Sequence, residues 1–384
     1  MELLSEYPVP EHARPVKARA REFAREQIAP VAADYYESGE FPWDVLEAGM
    51  DAGLVAGDLS EDLGGQGYDL HQMLAIAEEF YRADAGIALT LQLASFGAEI
   101  VADHGSDEQK EEFLRPVAQH DQITGLAVSE PETGSDLAGM TTSAEKDGDE
   151  WVLNGEKYWV GNAVEADWLT IYAKTGDDPD NRYGNYSMFI LPTDAPGYHA
   201  EHIPEKMGFR ASKQGHIVLD DCRIPEDHLI GVEGAGFYMV AEFFNHGRVV
   251  VAGHGLGLAA AAIEEAWEFV HDREAFGRTV DEFQAVQHKL SDMQLAFQSA
   301  RSLTWDAADH VAEQDDAGYW AALAKTAATE AATDCSQKGM QLHGGRSVLL
   351  ENRISRVFRD ARIPVIYEGA NDIQRNLIYR QTPQ

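Results

Sequence analysis

The apolar positions of this 384-residue chain change their period twice. In the first third, Leu70, Met73, Leu74, Ala77 and Tyr81 recur at i, i+3, i+4, i+7 and i+11, one face of a helix. Gly64-Gly65-Gln66-Gly67 before them reads as a loop. Ser106, followed by acids, predicts an N-cap and a second helix over Asp107 to Leu114. From about Thr124 the pattern shortens. Thr142 to Val160 alternates and holds two turn signals, Asp147-Gly148-Asp149 and Asn154-Gly155. Trp168 to Ala173 and Tyr186 to Leu191 predict strands around a polar loop, Asp177 to Gly184. His216 to Leu219 predicts another short strand, with Pro225 ending that run. From about Gly236 the helical period returns. Phe283, Val286, Leu290, Met293, Phe297 and Ala300 alternate steps of three and four, a seam that packs against antiparallel helices. The expected fold class is α+β: an N-terminal helical domain over 1–123, a middle β barrel or sandwich over 124–235, and a C-terminal four-helix-type bundle over 236–384.

The most apolar stretch, Val249 to Ile263, is interrupted by His254. It is shorter than the ~18 residues a membrane span needs, so it reads as a buried bundle helix. Met1 to Glu6 lacks the basic and apolar regions of a signal peptide. Cys222 and Cys335 form no CxxC, so neither a disulfide framework nor a zinc site is indicated and no metal is expected. These features predict a reducing, cytoplasmic setting.

Charge changes the picture more. There are 66 acidic residues against 30 basic ones, a net charge of −36. Such a surface repels nucleic-acid phosphates and anionic headgroups. One reading is a very soluble protein. The sharper one is a halophilic protein built for a salty cytosol, where screening over a few Å relieves self-repulsion.

Four motifs bring chemistry. The run from Ala127 to Gly139, AVSEPETGSDLAG, is rich in hydroxyls and small residues. Such a loop sets backbone N–H groups and hydroxyls against a flat polar ligand, although an isolated GSD is an ordinary turn. Arg273-Glu274-Ala275-Phe276-Gly277-Arg278 follows, then Gln341-Leu342-His343-Gly344-Gly345 with Arg359-Asp360, then Ile366-Tyr367-Glu368-Gly369. Together and in this order they resemble the signature motifs of the FAD-dependent acyl-CoA dehydrogenases, over about residues 10 to 380.

The resemblance implies α,β-dehydrogenation of an acyl-CoA thioester. Glu368 would abstract the α proton. A carboxylate closed in by thioester and flavin is desolvated and becomes more basic. The backbone N–H of Glu368 would face the thioester carbonyl, where charge develops. One branch of the family places its base immediately before the residue matching Arg248; here that position is Gly247, which cannot serve. Implied FAD contacts are Leu126, Val128, Ser129, Gly134 and Ser135 in the first motif. Trp159, Val160 and Gly161 would follow along the other face of the ring. Arg273 would bind the pyrophosphate, a task suited to a guanidinium. Phe276 and Gln284 complete that segment, and Gln341, Gly344 and Gly345 the next; this part of the family pattern reaches a neighbouring subunit's flavin and implies a homo-oligomer, commonly a tetramer. Ala370, Asn371 and Asp372 would offer backbone contacts at a helix N-terminus. Ser135, Asn245, Arg248, Tyr367 and Gly369 match substrate contacts. Outside this reading, Trp159 and Tyr367 are plain core aromatics, and Arg248 a buried ion-pair partner.

Gly161 stands where many relatives have Thr, Ser347 replaces a Gly, Ala370-Asn371 replaces the usual pair, and Asn245 occupies a position often acidic. The expected electron acceptor is an electron-transfer flavoprotein. An O2-using acyl-CoA oxidase on the same fold is the alternative. A DNA-associated relative would use the Arg-rich segment from Arg346 to Arg380, against the charge of the whole chain.

Overall fold

The computed structural model describes residues 9–382; the Met1 to Glu6 segment read for a targeting signal lies outside them. Seven helical segments come first: α1 (Arg14–Phe23), α2 (Ala32–Ser38), α3 (Trp43–Asp51), α4 (Leu70–Ala83), α5 (Ala85–Leu93), α6 (Ala98–His104) and α7 (107–118). Two start on capping boxes, the second at the N-cap expected. Asp69 and Gln72 form a reciprocal capping box at α4, and Ser106 and Gln109 another at α7. Leu74, Ala77 and Tyr81 are buried along the α4 seam.

Eight strands follow: β1 (Thr124–Ala127), β2 (Ser143–Asp147), β3 (Glu150–Gly161), β4 (Trp168–Lys174), β5 (Tyr186–Pro192), β6 (Tyr198–His202), β7 (Gln214–Pro225) and β8 (Leu229–Ile230). Their order is β6-β7-β3-β2-β4-β5-β8, with β1 parallel to β4. They enclose a separate apolar core that includes Trp151, Leu153, Ile171, Phe189 and Ile217. Asp147 and Glu150 close the β2–β3 hairpin at the first turn signal. The second signal behaves differently. Asn154-Gly155 lies inside β3, where the register to β7 slips between Leu153 and Gly155. It is a bulge, since the Asn154 side chain bonds Asp221 on the neighbouring strand instead of closing a turn. The strand expected over His216 to Leu219 runs the full length of β7 and ends, as expected, at Pro225.

The rest is helical apart from a short antiparallel hairpin, Glu274–Ala275 with Arg278–Thr279: α8 (Gly236–Asp272), α9 (Gln284–Ala312), α10 (Ala317–His343), α11 (Arg353–Ala361) and α12 (Asn371–Gln381). The seam of α9 buries Leu290, Met293, Phe297 and Ala300. The apolar stretch around His254 is part of a much longer helix than its composition indicated: α8 has 37 residues. By length and composition, 85–104 and 236–272 each pass for a membrane span, but 72% and 89% of their apolar windows are buried within the fold. Small residues explain how α8 sits so deep. A Cβ on Gly257 would meet Arg82 N at 2.7 Å, and one on Gly255 would meet the Ala328 carbonyl carbon at 2.5 Å. Backbone therefore packs on backbone, against α4 on one side and α10 on the other. Cys222 and Cys335 are buried and unpaired.

Candidate active site

The connection between α11 and α12 makes a turn at Glu368 and Gly369, with φ of +50° and +84°. A left-handed non-glycine backbone costs about 1–2 kcal/mol, so the surroundings must hold Glu368 there. Lys325 does much of this from α10. Its Nζ donates to the Gly369 carbonyl at 3.0 Å and to Asn371 Oδ1 at 2.9 Å. Gln374 Nε2 donates to the same carbonyl at 2.9 Å, and Asn371 N to the Val365 carbonyl at 3.0 Å. At φ +84° a side chain on residue 369 would be strained, and its Cβ would press Gln374 Nε2 at 2.3 Å, so the turn favours glycine there. Among the described residues the Glu368 N–H finds no acceptor.

The Glu368 side chain lies against α8. A Cβ on Gly247 would come within 2.7 Å of its Oε2. Gly247 thus makes room for the carboxylate as well as lacking a base of its own. Oε2 is buried without a hydrogen-bond partner, and Arg248 Nε is likewise buried without one. Arg248 Nη1 donates to Asn245 Oδ1 at 3.1 Å. Burial pushes the Glu368 carboxyl up, while the charges of Lys325 and Arg248 pull it partly back, leaving it at about 7. Burial brings Lys325 down to about 7 against the pull of Glu368. Tyr367 turns its hydroxyl to His254 Nδ1 at 2.6 Å, and the His254 ring stacks on Tyr81 with centroids 3.8 Å apart. Glu99 is pushed well above the usual carboxylate range by burial and by Asp58; Glu368 adds to the effect.

The expected flavin-facing residues gather on β1, β3 and the loop after β1. Leu126, Val128 and Val160 are buried, so only their backbones can meet a ligand. Val128 O accepts Lys157 Nζ at 2.8 Å, Glu130 takes the same ammonium at 3.1 Å, and Tyr158 N donates to the Ser129 carbonyl at 2.8 Å. Burial works against the Glu130 charge, but Lys157 and the N–H groups of Thr142 and Thr141 outweigh it and hold the carboxyl at about 2. Trp159 is not a core aromatic: it is 60% exposed. The second β3 register shift, between Tyr158 and Val160, puts it at φ +67° and turns the indole outward. Gly161 has a steric reason, because a Cβ would meet Leu93 Cδ1 at 2.6 Å. Leu93 fills the space a threonine would take. Gly134 and Ser135 lie on an exposed loop beside Asp136, which pairs with Arg182 at 2.7 Å.

Arg273, Phe276, Gln284, Gln341, Gly344 and Gly345 do not join this cluster. All are exposed, Phe276 by 95%, at the end of the bundle where α8 and α10 finish. Phe269 and His343 tie those ends together, ring on ring at 4.3 Å. Arg248 and Arg273 are separated by about 37 Å of helix at ~1.5 Å per residue. Ala370 caps α12, Asn371 is buried and Asp372 exposed in its first turn.

Lys325, His254, Tyr81 and Glu99 lie around the Glu368 turn yet had no sequence signal as site residues. A lysine inside the alanine-rich run Ala321 to Ala332 is the one hint, since a buried charge there needs partners.

Three family models match the chain in order: "Acyl-CoA dehydrogenase, N-terminal domain" over residues 10–121, "middle domain" over 125–222 and "C-terminal domain" over 234–382. The short-chain specific acyl-CoA dehydrogenase of Rattus norvegicus mitochondria is 36% identical over 372 residues, covering 96% of this chain and 90% of that protein. The butyryl-CoA dehydrogenase of Megasphaera elsdenii superposes with a TM-score of 0.92 at 29% identity, covering 98% of this chain and 99% of that one. A chain solved in work on the electron transferring flavoprotein of Acidaminococcus fermentans gives 0.93 at 30% identity, with 98% of both chains covered.

Proposed function

The chain belongs to the acyl-CoA dehydrogenase family, and from that premise we propose that Glu368 removes the α proton of a short-chain acyl-CoA thioester. It is an FAD-dependent oxidoreductase that dehydrogenates acyl-CoA. The observation that supports the base is the Glu368 carboxylate itself. Its Oε2 is buried without a partner, and burial against Lys325 and Arg248 leaves its proton affinity near neutrality, where a general base works best. The unengaged Glu368 N–H is the donor for the thioester oxygen, where negative charge develops. Lys325 and Gln374 hold the next carbonyl so that this N–H stays oriented. Arg248 and Asn245 flank the carboxylate on the substrate side.

The residues fit FAD. The Trp159 indole stands outward from β3, and nothing lies within 4 Å of where a Cβ on Gly134 would stand, so both leave room for a ring system. Bound FAD supplies the hydride acceptor. The Arg273 end of the bundle lies far from the same chain's Glu368, which supports a homo-oligomer, a tetramer by family pattern, in which one copy completes another's flavin site. An electron-transfer flavoprotein is the proposed acceptor, on the strength of the A. fermentans likeness. The short acyl chain rests on the relatives named for short-chain and butyryl substrates. We further propose a cytoplasmic, salt-adapted enzyme from the charge of −36. Its melting temperature should rise with KCl, and a flat salt series would count against that.

The test is anaerobic titration of the yellow holoenzyme with saturated acyl-CoAs from C4 to C16, recording flavin bleaching. The fastest bleaching is expected at the short end. Glu368→Gln should bind the same ligands and stay yellow. Rapid reoxidation of the reduced enzyme by air would favour an oxidase.

A further inference from the structure

His254 is a polar residue where none is needed for packing. It is 0% exposed in the most apolar part of α8, with Val251 and Leu256 fully buried around it. Its ring stacks on Tyr81 within 6° of parallel, and Tyr81 in turn donates to Gln92 Oε1 at 3.1 Å. Its Nδ1 engages the Tyr367 hydroxyl at 2.6 Å, while its Nε2 is buried without a partner. A buried nitrogen left without a partner is costly, so a histidine here needs a reason. Burial, with the Lys325 charge, pushes the imidazole well below its ordinary value, so it stays neutral and the bond keeps one form across the working pH range.

The reason lies in the helix geometry. Gly247, Val251 and His254 follow one another at i, i+4 and i+7 on one face of α8. Gly247 receives the Glu368 carboxylate; His254, about 10 Å further along the axis, receives the hydroxyl of the preceding residue. The left-handed turn at Glu368 is gripped downstream by Lys325 and Gln374, both on the Gly369 carbonyl. Upstream, the Tyr367 hydroxyl is held by His254 at 2.6 Å, with the Tyr81 hydroxyl beside it as a second hydrogen-bonding neighbour.

We propose that His254 is a positioning residue for proton abstraction: by fixing the Tyr367 hydroxyl it sets the turn that aims the Glu368 carboxylate and N–H. The proposal rests on the reading of Glu368 as the base. His254 touches neither substrate nor flavin in this scheme. It acts on the rate of the proton-transfer step and leaves thioester binding nearly unchanged.

The test uses the holoenzyme and whichever acyl-CoA of the C4 to C16 panel bleaches the parent fastest, read by anaerobic stopped-flow. His254→Leu fills the space and removes the hydrogen bond. It should lower the limiting rate of flavin reduction about 10- to 100-fold, the penalty of an ångström-scale misplacement, with Kd for the thioester within about twofold of the parent. His254→Asn keeps a polar atom near the Nδ1 position and should recover most of the rate. Tyr367→Phe deletes the same bond from the other side. It should slow reduction to a similar extent, and the double variant His254→Leu/Tyr367→Phe should be no slower than either single. Parental reduction by Tyr367→Phe, or multiplicative losses in the double variant, overturns the proposal. Should His254→Leu fail to fold, Tyr367→Phe and His254→Asn decide it on the same criteria. Glu368→Gln runs alongside. If it bleaches like the parent, the base assignment itself is wrong; if it is inert while Tyr367→Phe is fully active, only the positioning role falls.

Discussion

Glu368→Gln should destroy activity and stabilise the protein, and the stabilisation should depend on pH. The carboxyl rises from 4.5 to about 7 on folding because its burial outweighs the pull of Lys325 and Arg248. Between those values the native state binds more protons than the unfolded chain, so stability falls as pH rises through that window. The full cost is in place above about pH 7. A shift of roughly 2.5 units corresponds to about 3 kcal/mol at pH 8, about 2 at pH 6 and less than about 1 at pH 5. An amide of the same size removes the ionisation and keeps the shape. Urea denaturation of parent and variant, both saturated with FAD so that ligand linkage cancels, gives the difference at each pH. The variant should gain little at pH 5 and about 3 kcal/mol at pH 8. A pH-independent offset, or a loss of stability at pH 8, would refute the claim that a buried carboxylate is held here at the expense of the fold. A surface acid at a helix start would give that flat result.

Three further outcomes follow from the same geometry. Flavin reduction at low substrate should rise with pH through about 7 as Glu368 loses its proton, and Lys325→Met, which removes an opposing charge, should move the midpoint upward; an unmoved midpoint would deny Lys325 its electrostatic role. Gly247→Ala places a methyl 2.7 Å from Glu368 Oε2 and should cut the reduction rate about 100-fold while the melting temperature stays within a few degrees, as circular dichroism and stopped-flow together would reveal. Lys157→Met removes the ammonium shared by Glu130 and the Val128 carbonyl, while Thr141 and Thr142 still donate to the carboxylate, so it should cost about 1–3 kcal/mol and speed FAD loss, measured by the recovery of flavin fluorescence; parental FAD retention would separate the ion pair from the flavin loop.

Local pattern made the long elements legible. The α4 and α9 seams follow from the 3.6-residue period, and both capping boxes from a short polar residue followed three positions later by glutamine, because these effects are decided within a turn or two of chain. The proposed role of Glu368 was readable only through motif resemblance; a glutamate near the start of α12 has no periodic signal of its own. The pair Asn154-Gly155 shows the limit of local chemistry. It has the composition of a hairpin turn, yet β7 lies alongside to absorb the extra residue as a bulge. The same device at Trp159 turns an indole outward where alternation alone would let it point into the core.

What the sequence by itself determined is the order of α, β and α, the net charge of −36, and the positions of the four family motifs. Only the tertiary structure decided how the proposed base, Glu368, is poised. Gly247 and His254 on α8, Lys325 on α10 and Glu368 before α12 lie as many as 121 residues apart, and no short-range pattern links them. Their effect on one carboxylate depends on burial and on distances of a few Å, quantities that exist only once the helices have packed.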